Sequence, residues 1–415
     1  MKFIRQNLWQ RLYVWLAAGL ITFVYVSFAG SLFSFVENLH LDGLIRLAPH
    51  KQQESRVVLV DIDEKSLAEI GAWPWSRLQM AQLLDNLQKD YQVALIGLDI
   101  VFPEAKPQDE LLKRALSSSN VVMSQVIDFA ASAHSHAGQL ADVRMSAQAP
   151  QASNQGTGYI GNSASVLSAD SQVGNIGPII DADGKVRRIF PFACVKEGCS
   201  LALSLRMYQA LYGEGQFIAD YPARRLIWQS MGDSKEIPLD NQGAMYIPFG
   251  VKRGAFLNVS AADVLARRID PKLLKNCIIY IGSTALGIGD YVATALDAVT
   301  PGVEVHTQNM VALLDDQYID SAQQEWLILI IILFSLGFMF WPGNYLVWAS
   351  LAGMLLMFLV DVVSFNYFGC YLKFSPVYVQ MIVSLILWAG VRNAFLNRQL
   401  LIVSNRFSRF LPERL

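Results

Sequence analysis

Long stretches without a charged residue constrain this chain more than any other feature of its sequence. One stretch runs from Leu12 to Val36, and further ones follow each other closely between Glu325 and Arg392. A helix rises about 1.5 Å per residue, so about 20 apolar residues cross a hydrocarbon core about 30 Å thick. We therefore predict four transmembrane helices, one at 12–36 and three within 325–391, with one large segment, 37–324, between the first helix and the other three.

The second stretch is broken by Trp341-Pro342-Gly343-Asn344, and Pro followed by Gly favours a turn. We interpret it as two helices, at 326–340 and 345–368, and we place the fourth helix at 374–391. Asp361 lies within the third helix, where a charge is costly and often functional. The alternative for Asp361 is a place near the outer interface, from which its carboxyl reaches water.

Basic residues flank the two ends of the membrane region. Three precede the first predicted helix and five follow the last, namely Lys2, Arg5, Arg11, Arg392, Arg398, Arg406, Arg409 and Arg414. By the positive-inside rule, residues 1–11 and 392–415 are cytoplasmic and 37–324 faces the periplasm or the exterior. The basic start is also typical of a cleaved signal peptide, but the apolar stretch is longer than the core of most signal peptides.

Net charge and cysteine placement limit the partners of the chain. The formal net charge of −2 gives no sign of a nucleic-acid partner. Cys194 and Cys199 flank a short turn and would face an oxidising compartment, so we predict a disulfide between them, with free thiols as the alternative.

The segment 129–172 has little apolar periodicity, and we predict a flexible insertion there. His134 and His136 lie in this segment, and we predict no metal site from this pair.

Short apolar runs alternate with helical patterns through the large segment. The runs at 57–63, 93–102 and 277–282 are typical of buried strands, and amphipathic stretches lie between them. Strands that alternate with helices predict a mainly parallel sheet covered by helices. The expected fold class is therefore an α/β domain with a mostly parallel mixed sheet, joined to an α-helical transmembrane region of four spans.

Polar side chains follow these runs where each strand should end. Asp61 and Asp63 close the first run, Asp99 lies near the end of the second, and the glycine-rich loop 283–290 follows the third. Ligands of parallel sheets gather at the carboxyl ends of the strands. We therefore predict a ligand site there, whose further candidate residues are Trp73, Trp75, Arg77, Asp290, Glu304 and His306. The alternative for the tryptophans and the arginine is packing across a turn, and for the histidine a structural hydrogen bond.

One motif resembles that of an enzyme family. The apolar strand that ends in Asp61-Ile62-Asp63 is similar to the nucleophile motif of haloacid-dehalogenase phosphatases, in which an aspartate attacks phosphorus beside Mg²⁺. Glu64-Lys65 departs from the continuation typical of that family, and no matching later Lys and acidic pair follows. We therefore predict no catalytic residue in this chain and keep a periplasmic phosphatase-like hydrolase as the weaker alternative.

Six short motifs occur in order along the large segment, at 60–67 (VDIDEKSL), 71–77 (GAWPWSR), 97–102 (GLDIVF), 181–188 (DADGKVRR), 281–285 (IGSTA) and 300–306 (TPGVEVH). Together they resemble the CHASE type 2 family, the second type of extracellular sensing domain associated with cyclases and histidine kinases. The resemblance extends over about Leu41 to Leu314, with 129–172 as an insertion. It implies a receptor domain for an unidentified signal, followed by three transmembrane helices and a cytoplasmic output domain. It also adds Arg187 to the candidate ligand-binding residues.

The tail after the last predicted helix carries two further patterns. Leu396, Leu400, Val403, Phe407 and Phe410 recur at heptad spacing, which predicts a parallel two-stranded coiled coil and hence a homodimer. Packing against a further domain is the alternative. The segment 406–413 (RFSRFLPE) resembles the linker that precedes class III adenylate or guanylate cyclase domains.

The resemblance and the tail lead to one expectation of function. We expect a bacterial inner-membrane receptor that relays a periplasmic signal to a class III adenylate cyclase domain beyond Leu415, which would require ATP and Mg²⁺ and make cyclic AMP. The chain itself is expected to hold no cofactor and to contact the lipid bilayer, a second copy of itself and the signal. A histidine kinase or serine/threonine kinase output domain is the alternative.

Overall fold

The computed structural model describes residues 16–17, 19–21, 30–118, 120–129, 136–143, 154–213, 215–230, 232–321 and 343–407. The chain divides into two compact units. The central unit is Ile45–Ser321, and the membrane unit consists of the described residues before Ile45 and after Ser321.

The helices are, in chain order, α1 (Gly30–Leu47), α2 (Glu64–Ile70), α3 (Arg77–Asp85), α4 (Asp109–Leu116), α5 (Leu203–Tyr212), α6 (Ala261–Leu265), α7 (Pro271–Leu274), α8 (Gly302–Asp315), α9 (Gly343–Phe368) and α10 (Ser375–Phe407). A π-helical turn at Asn86–Asp90 continues α3. Helix α3 begins where it does because Ser76 caps it: the Ser76 hydroxyl accepts from the Gln79 N–H, and the Gln79 side chain accepts from the Ser76 N–H.

The strands are, in chain order, β1 (Glu54–Asp61), β2 (Leu95–Leu98), β3 (Val121–Asp128), β4 (His136–Ala137), β5 (Gly158–Ile160), β6 (Gln172–Asn175), β7 (Lys185–Val186), β8 (Arg188–Ile189), β9 (Phe192–Val195), β10 (Gly198–Leu201), β11 (Gln216–Asp220), β12 (Arg225–Ser230), β13 (Asp233–Pro238), β14 (Met245–Tyr246), β15 (Phe256–Ser260), β16 (Ile278–Gly282), β17 (Tyr291–Thr294), β18 (Thr300–Pro301), β19 (Asp320–Ser321) and β20 (Cys370–Tyr371).

The main sheet of the central unit has the order β15-β1-β16-β2-β3-β5-β4, with β6 beside β3. Its strand pairs are parallel except for β3 with β5. The runs predicted as strands at 57–63, 93–102 and 277–282 supply β1, β2 and β16, which are neighbours in the sheet. The prediction of a mainly parallel mixed sheet covered by helices is therefore confirmed.

Helices cover both faces of this sheet, as buried parallel strands require. Alternate residues of β1, β16 and β2, such as Val60, Ile279 and Ile96, pack with α3 and α4 on one face. On the other face α8 lies against β16, where a methyl group added at Gly282 would be 2.6 Å from Val303 Cβ. A larger residue at this position would therefore push α8 away from the sheet.

The segment 129–172, predicted as a flexible insertion, contains regular structure in its described part. Strands β4 and β5 lie in it and extend the main sheet at one edge. The Asn162 side chain accepts from Phe102 N–H at 2.9 Å and donates to the Ser124 carbonyl at 2.8 Å, so the segment is fastened to the sheet. The prediction of an insertion without regular structure is wrong for these residues. His136 packs edge-on against Tyr159, and His134 lies outside the described residues.

The chain after β6 forms a turn followed by short strands. Asp181 to Gly184 form the turn, in which Asp181 N–H donates to the Lys185 carbonyl at 2.9 Å. Strand β6 pairs with β3, and the chain after the turn is divided into β7, β8 and β9. Strands β9 and β10 form a hairpin in which a disulfide joins Cys194 to Cys199, the pair that the sequence singled out.

The membrane unit contains two described helices that are long and apolar enough to cross a bilayer, at Val347–Phe368 in α9 and Ser375–Asn405 in α10. They correspond to the third and fourth predicted spans. Most of the first predicted span and the whole of the second, 326–340, lie outside the described residues. Helix α10 continues without a break to Phe407, so the fourth span and the start of the predicted coiled coil form one helix of 33 residues.

Buried polar groups connect the helices of the membrane unit. His40 Nε2 of α1 lies 2.9 Å from Asp361 Oδ2 of α9, and the Asp361 side chain is fully buried. The hydroxyl of Tyr371 donates to the Glu37 carboxyl at 2.5 Å, and Ser375 hydrogen bonds to the same carboxyl. In the described part of the chain the Asp361 carboxyl therefore does not reach water, and its place near the outer interface stays a prediction.

We expect His40→Leu to destabilise the membrane unit by about 1–3 kcal/mol. The change removes the side-chain partner of the buried Asp361 carboxyl, which then keeps its hydrogen bond from the Leu372 N–H at 3.2 Å. The apparent unfolding midpoint of the purified chain in detergent, followed by size-exclusion chromatography after heating, measures the destabilisation. The double variant His40→Leu/Asp361→Leu should recover most of the lost stability. A double variant no more stable than the single one would contradict this account of the pair.

Candidate functional site

A cavity of about 540 Å³ opens where β1, β16 and β2 end. Ile62 follows β1, Ser283 follows β16, and Asp99 follows β2, and all three line the cavity. Residues of α8 and of the chain around β6 to β8 close the other sides. Small-molecule sites have volumes of about 300–1,000 Å³. The cavity therefore lies at the sheet edge where the sequence predicts a ligand site, and its size suits a small molecule.

Asp99 and His306 form the polar part of the cavity. Asp99 Oδ1 lies 4.0 Å from His306 Nε2, and the two side chains are 17% and 12% exposed. Burial raises the pKa of Asp99 to about 7, and the neighbouring Asp290 carboxyl adds to this by repelling the charged form. Burial lowers the pKa of His306 to about 4. Near pH 7 the imidazole is therefore neutral, and the Asp99 carboxyl is about half ionised.

Trp73 and Trp75 form an aromatic wall of the cavity. Their rings meet edge to face with centroids 5.7 Å apart, and the peptide bond between Trp73 and Pro74 is cis. Trp75 is buried and its indole N–H donates to the Gly71 carbonyl at 2.9 Å. Trp73 is half-buried. Trp75 thus both lines the cavity and packs into the core, whereas Trp73 has more surface free for a ligand.

Arg77 lines the cavity, but its charge is already neutralised. Its Nε donates to Asp109 Oδ1 at 2.7 Å, and its Nη2 donates to the Glu104 carbonyl at 2.8 Å. The guanidinium carbon lies 4.6 Å from the centre of the Phe102 ring. Arg77 therefore holds the chain 102–109 in place as a wall of the cavity, and the predicted packing role fits its contacts.

Asp61 is the last residue of β1 and Asp63 lies two residues beyond it, but neither lines the cavity. Asp61 accepts hydrogen bonds from Thr284 N–H at 2.9 Å and from the Asn258 amide at 3.1 Å. Asp63 caps α2 by accepting from Ser66 N–H at 2.8 Å. Burial raises the pKa of Asp61. These contacts fasten β1 to its neighbours, and they leave the hydrolase alternative without a nucleophile that faces the cavity.

Two more of the predicted ligand residues lie elsewhere. Arg187 is buried between Asp181 and Asp183, with nitrogen–oxygen distances of 2.8 and 2.6 Å. Glu304 lies in the first turn of α8, but its side chain does not line the cavity. Asp290 does line it and is exposed. The structure thus brings together Trp73, Trp75, Arg77, Asp99, Asp290 and His306, and it separates Asp61, Asp63, Arg187 and Glu304 from them.

Sequence reasoning missed one wall of the cavity. Asn175 to Pro178, Val186 and the pair Ile189 and Phe190 all line it. They come from short strands and turns after the segment 129–172, where the apolar pattern has no clear period. The turn sequence Asn175-Ile176-Gly177-Pro178 was the only signal there, and it indicates a turn without indicating what the turn faces.

Comparison with known proteins gives one finding. A model of the CHASE2 domain matches residues 17–341. No curated protein and no solved structure matches the chain significantly. The matched range covers most of the chain and contains the whole central unit with its cavity. The chain therefore belongs to the CHASE2 family of extracellular sensor domains of signalling proteins.

Proposed function

We propose that this chain is the sensor and membrane module of a receptor that binds a small molecule in the cavity and relays binding to a cytoplasmic output domain. The observation that carries the proposal is the cavity itself. It lies at the carboxyl edge of a parallel sheet, it has the volume of a small-molecule site, and it contains buried ionisable groups.

The continuous helix α10 supports the relay. It includes a candidate membrane span and continues to Phe407, so a movement at one end is transmitted along a single rigid element. A ligand shifts such an equilibrium only by its difference in affinity for the two states. We infer that the ligand-bound and ligand-free states of the central unit differ in how they bias the position of α10.

We further propose a parallel homodimer with a class III adenylate cyclase as output domain, which would use ATP and Mg²⁺. Leu396, Leu400 and Val403 lie on α10 and are 44%, 66% and 50% exposed, so the predicted seam is open to a second copy. The Phe407 side chain and Phe410 lie outside the described residues. The linker-like segment 406–413 favours the cyclase over a kinase. The proposed location is the bacterial inner membrane, with the central unit in the periplasm.

Expression of the full reading frame in bacteria without adenylate cyclase of their own tests this proposal. We expect cyclic AMP to accumulate, and we expect Leu400→Glu to reduce it at least about tenfold because it places a charge in the coiled-coil seam. Leu401→Glu is the matched control, since Leu401 is next to Leu400 in the chain but lies outside the heptad positions. If the native protein makes no cyclic nucleotide, the cyclase proposal fails and the kinase alternative takes its place.

A further inference from the structure

We propose that the cavity selects an organic cation, a protonated amine on an apolar body, as the ligand of this receptor. The proposal rests on the proposed function, because it names the ligand class of the same cavity. Four features of the cavity carry it: an unpartnered carboxyl, a neutralised arginine, an occupied helix terminus and an aromatic wall.

The interior of the cavity has an excess of negative charge. In the part of the chain that the structure describes, no side chain hydrogen bonds to the Asp99 carboxyl, and His306 Nε2 lies 4.0 Å from its Oδ1. Asp290 adds a second carboxyl close enough to repel it. The cation Arg77 is paired with Asp109, and the exposed Glu104 and Lys106 at the rim oppose each other in charge. A ligand with a positive charge compensates this excess.

The amino end of α8 also lines the cavity, and a helix amino terminus attracts anions. Here the backbone carbonyl of Asp290 already accepts from the Gly302 N–H at 2.7 Å. The Asp290 carboxyl also lies close to this end of the helix, since a methyl group added at Gly302 would be 3.7 Å from Asp290 Oδ2. An anionic ligand would have to displace the carbonyl and approach this carboxylate. The helix terminus therefore gives little advantage to an anion.

The polar groups suit an ammonium group in particular. An ammonium nitrogen carries several N–H donors, and Asp99 Oδ1 and His306 Nε2 are two possible acceptors 4.0 Å apart. A nitrogen placed about 2.9 Å from each can donate to both, if the imidazole proton is on Nδ1. Because the site is largely buried, the attraction between ammonium and carboxylate is stronger there than in water.

The walls supply contacts for the rest of such a ligand. Trp73 is half-buried beside the cavity, and a cation placed over the face of an indole ring is attracted by the negative charge of its π-electrons. Phe102 already bears the guanidinium of Arg77 on its ring. Ile100, Val292 and Val303 line the same cavity and provide apolar surface. The cavity thus combines an anionic end with aromatic and aliphatic walls.

Three probes of nearly equal size test the charge preference: phenethylamine, phenethyl alcohol and hydrocinnamate, which are cationic, neutral and anionic at pH 7.5. Calorimetry with the full chain in lipid nanodiscs should give the highest affinity for the amine, at least about tenfold above the alcohol, and the lowest for hydrocinnamate. Asp99→Asn should weaken amine binding at least about tenfold and leave alcohol binding nearly unchanged. Asp85→Asn, the same change in α3 at a side chain that is 45% exposed and does not line the cavity, is the control and should alter neither.

Trp73→Leu gives an independent check, since it should weaken amine binding more than alcohol binding. Equal affinity for amine and alcohol, or a preference for hydrocinnamate, overturns the cation proposal and leaves the small-molecule sensor intact. Binding of none of the probes also overturns it for cations of this size. The cyclic-nucleotide assay does not involve these probes, so failure of the proposed function is seen separately.

Discussion

Replacing Arg187 with alanine is expected to lower the free energy of unfolding of the central unit by about 3–5 kcal/mol, because it removes one partner of a buried ion pair. The guanidinium is 1% exposed and lies 2.8 Å from Asp181 and 2.6 Å from Asp183. Without it, the buried Asp181 carboxyl keeps Arg188, at 2.5 Å, as its cationic partner among the described residues. The interaction with Arg187 also lowers the pKa of Asp183, so this carboxyl is held in its charged form.

Urea denaturation of the purified chain in detergent, followed by near-ultraviolet circular dichroism with the disulfide intact, measures this loss. Arg114→Ala is the matched control, because its side chain is 73% exposed and paired only to its helix neighbour Glu110. Exposed pairs of this kind contribute about 0.3–0.5 kcal/mol. If Arg187→Ala instead kept full stability, this account of the buried ion pair would be wrong, and the ligand role that the sequence motif first indicated for Arg187 would be favoured.

The strands at the centre of the sheet could be predicted because they are buried on both faces and are therefore continuously apolar. The runs at 57–63, 93–102 and 277–282 form adjacent parallel strands, so their carboxyl ends meet at one edge. This geometry brings Asp99 and Ser283 to the same cavity. The location of the candidate site followed from the alternation of strands and helices alone.

The carboxyl group that faces the cavity could not be predicted in the same way. Asp61 and Asp63 follow a strand just as Asp99 does, but Thr284 and Asn258 satisfy Asp61 from distant parts of the sequence. Buried polar groups are nearly always hydrogen bonded, and a single sequence does not indicate which partner does this. Arg187 contacts the aspartates four and six residues before it. These contacts could not be predicted either, because the family resemblance associates the motif that contains them with sensing.

Asp99 and His306 contribute to the pH dependence of stability with opposite signs. The folded-state pKa of Asp99 is raised to about 7, so folding takes up a proton at Asp99 between pH 4 and 7. The free energy of unfolding therefore falls at Asp99 as the pH rises through this range. The folded-state pKa of His306 is lowered to about 4, so folding releases a proton at His306 between pH 4 and 6.5, and stability rises with pH. In the native chain the two slopes oppose each other over this range.

Each single variant should therefore reveal the slope of the residue that remains. The measured quantity is the free energy of unfolding of each variant minus that of the native chain. Between pH 4 and pH 6.5 this difference should rise by about 3 kcal/mol for Asp99→Asn and fall by about the same amount for His306→Asn. Urea midpoints of the variants and of the native chain at each pH give these differences, in which the contributions of other carboxyls cancel. The groups that face Asp99 are Asp290, Tyr280 and His306, and none of them other than His306 has an ordinary pKa within this range. Slopes of the opposite sign would mean that Asp99 and His306 form an ion pair across their 4.0 Å separation, and an incoming ammonium group would then have to displace the imidazolium from the carboxylate.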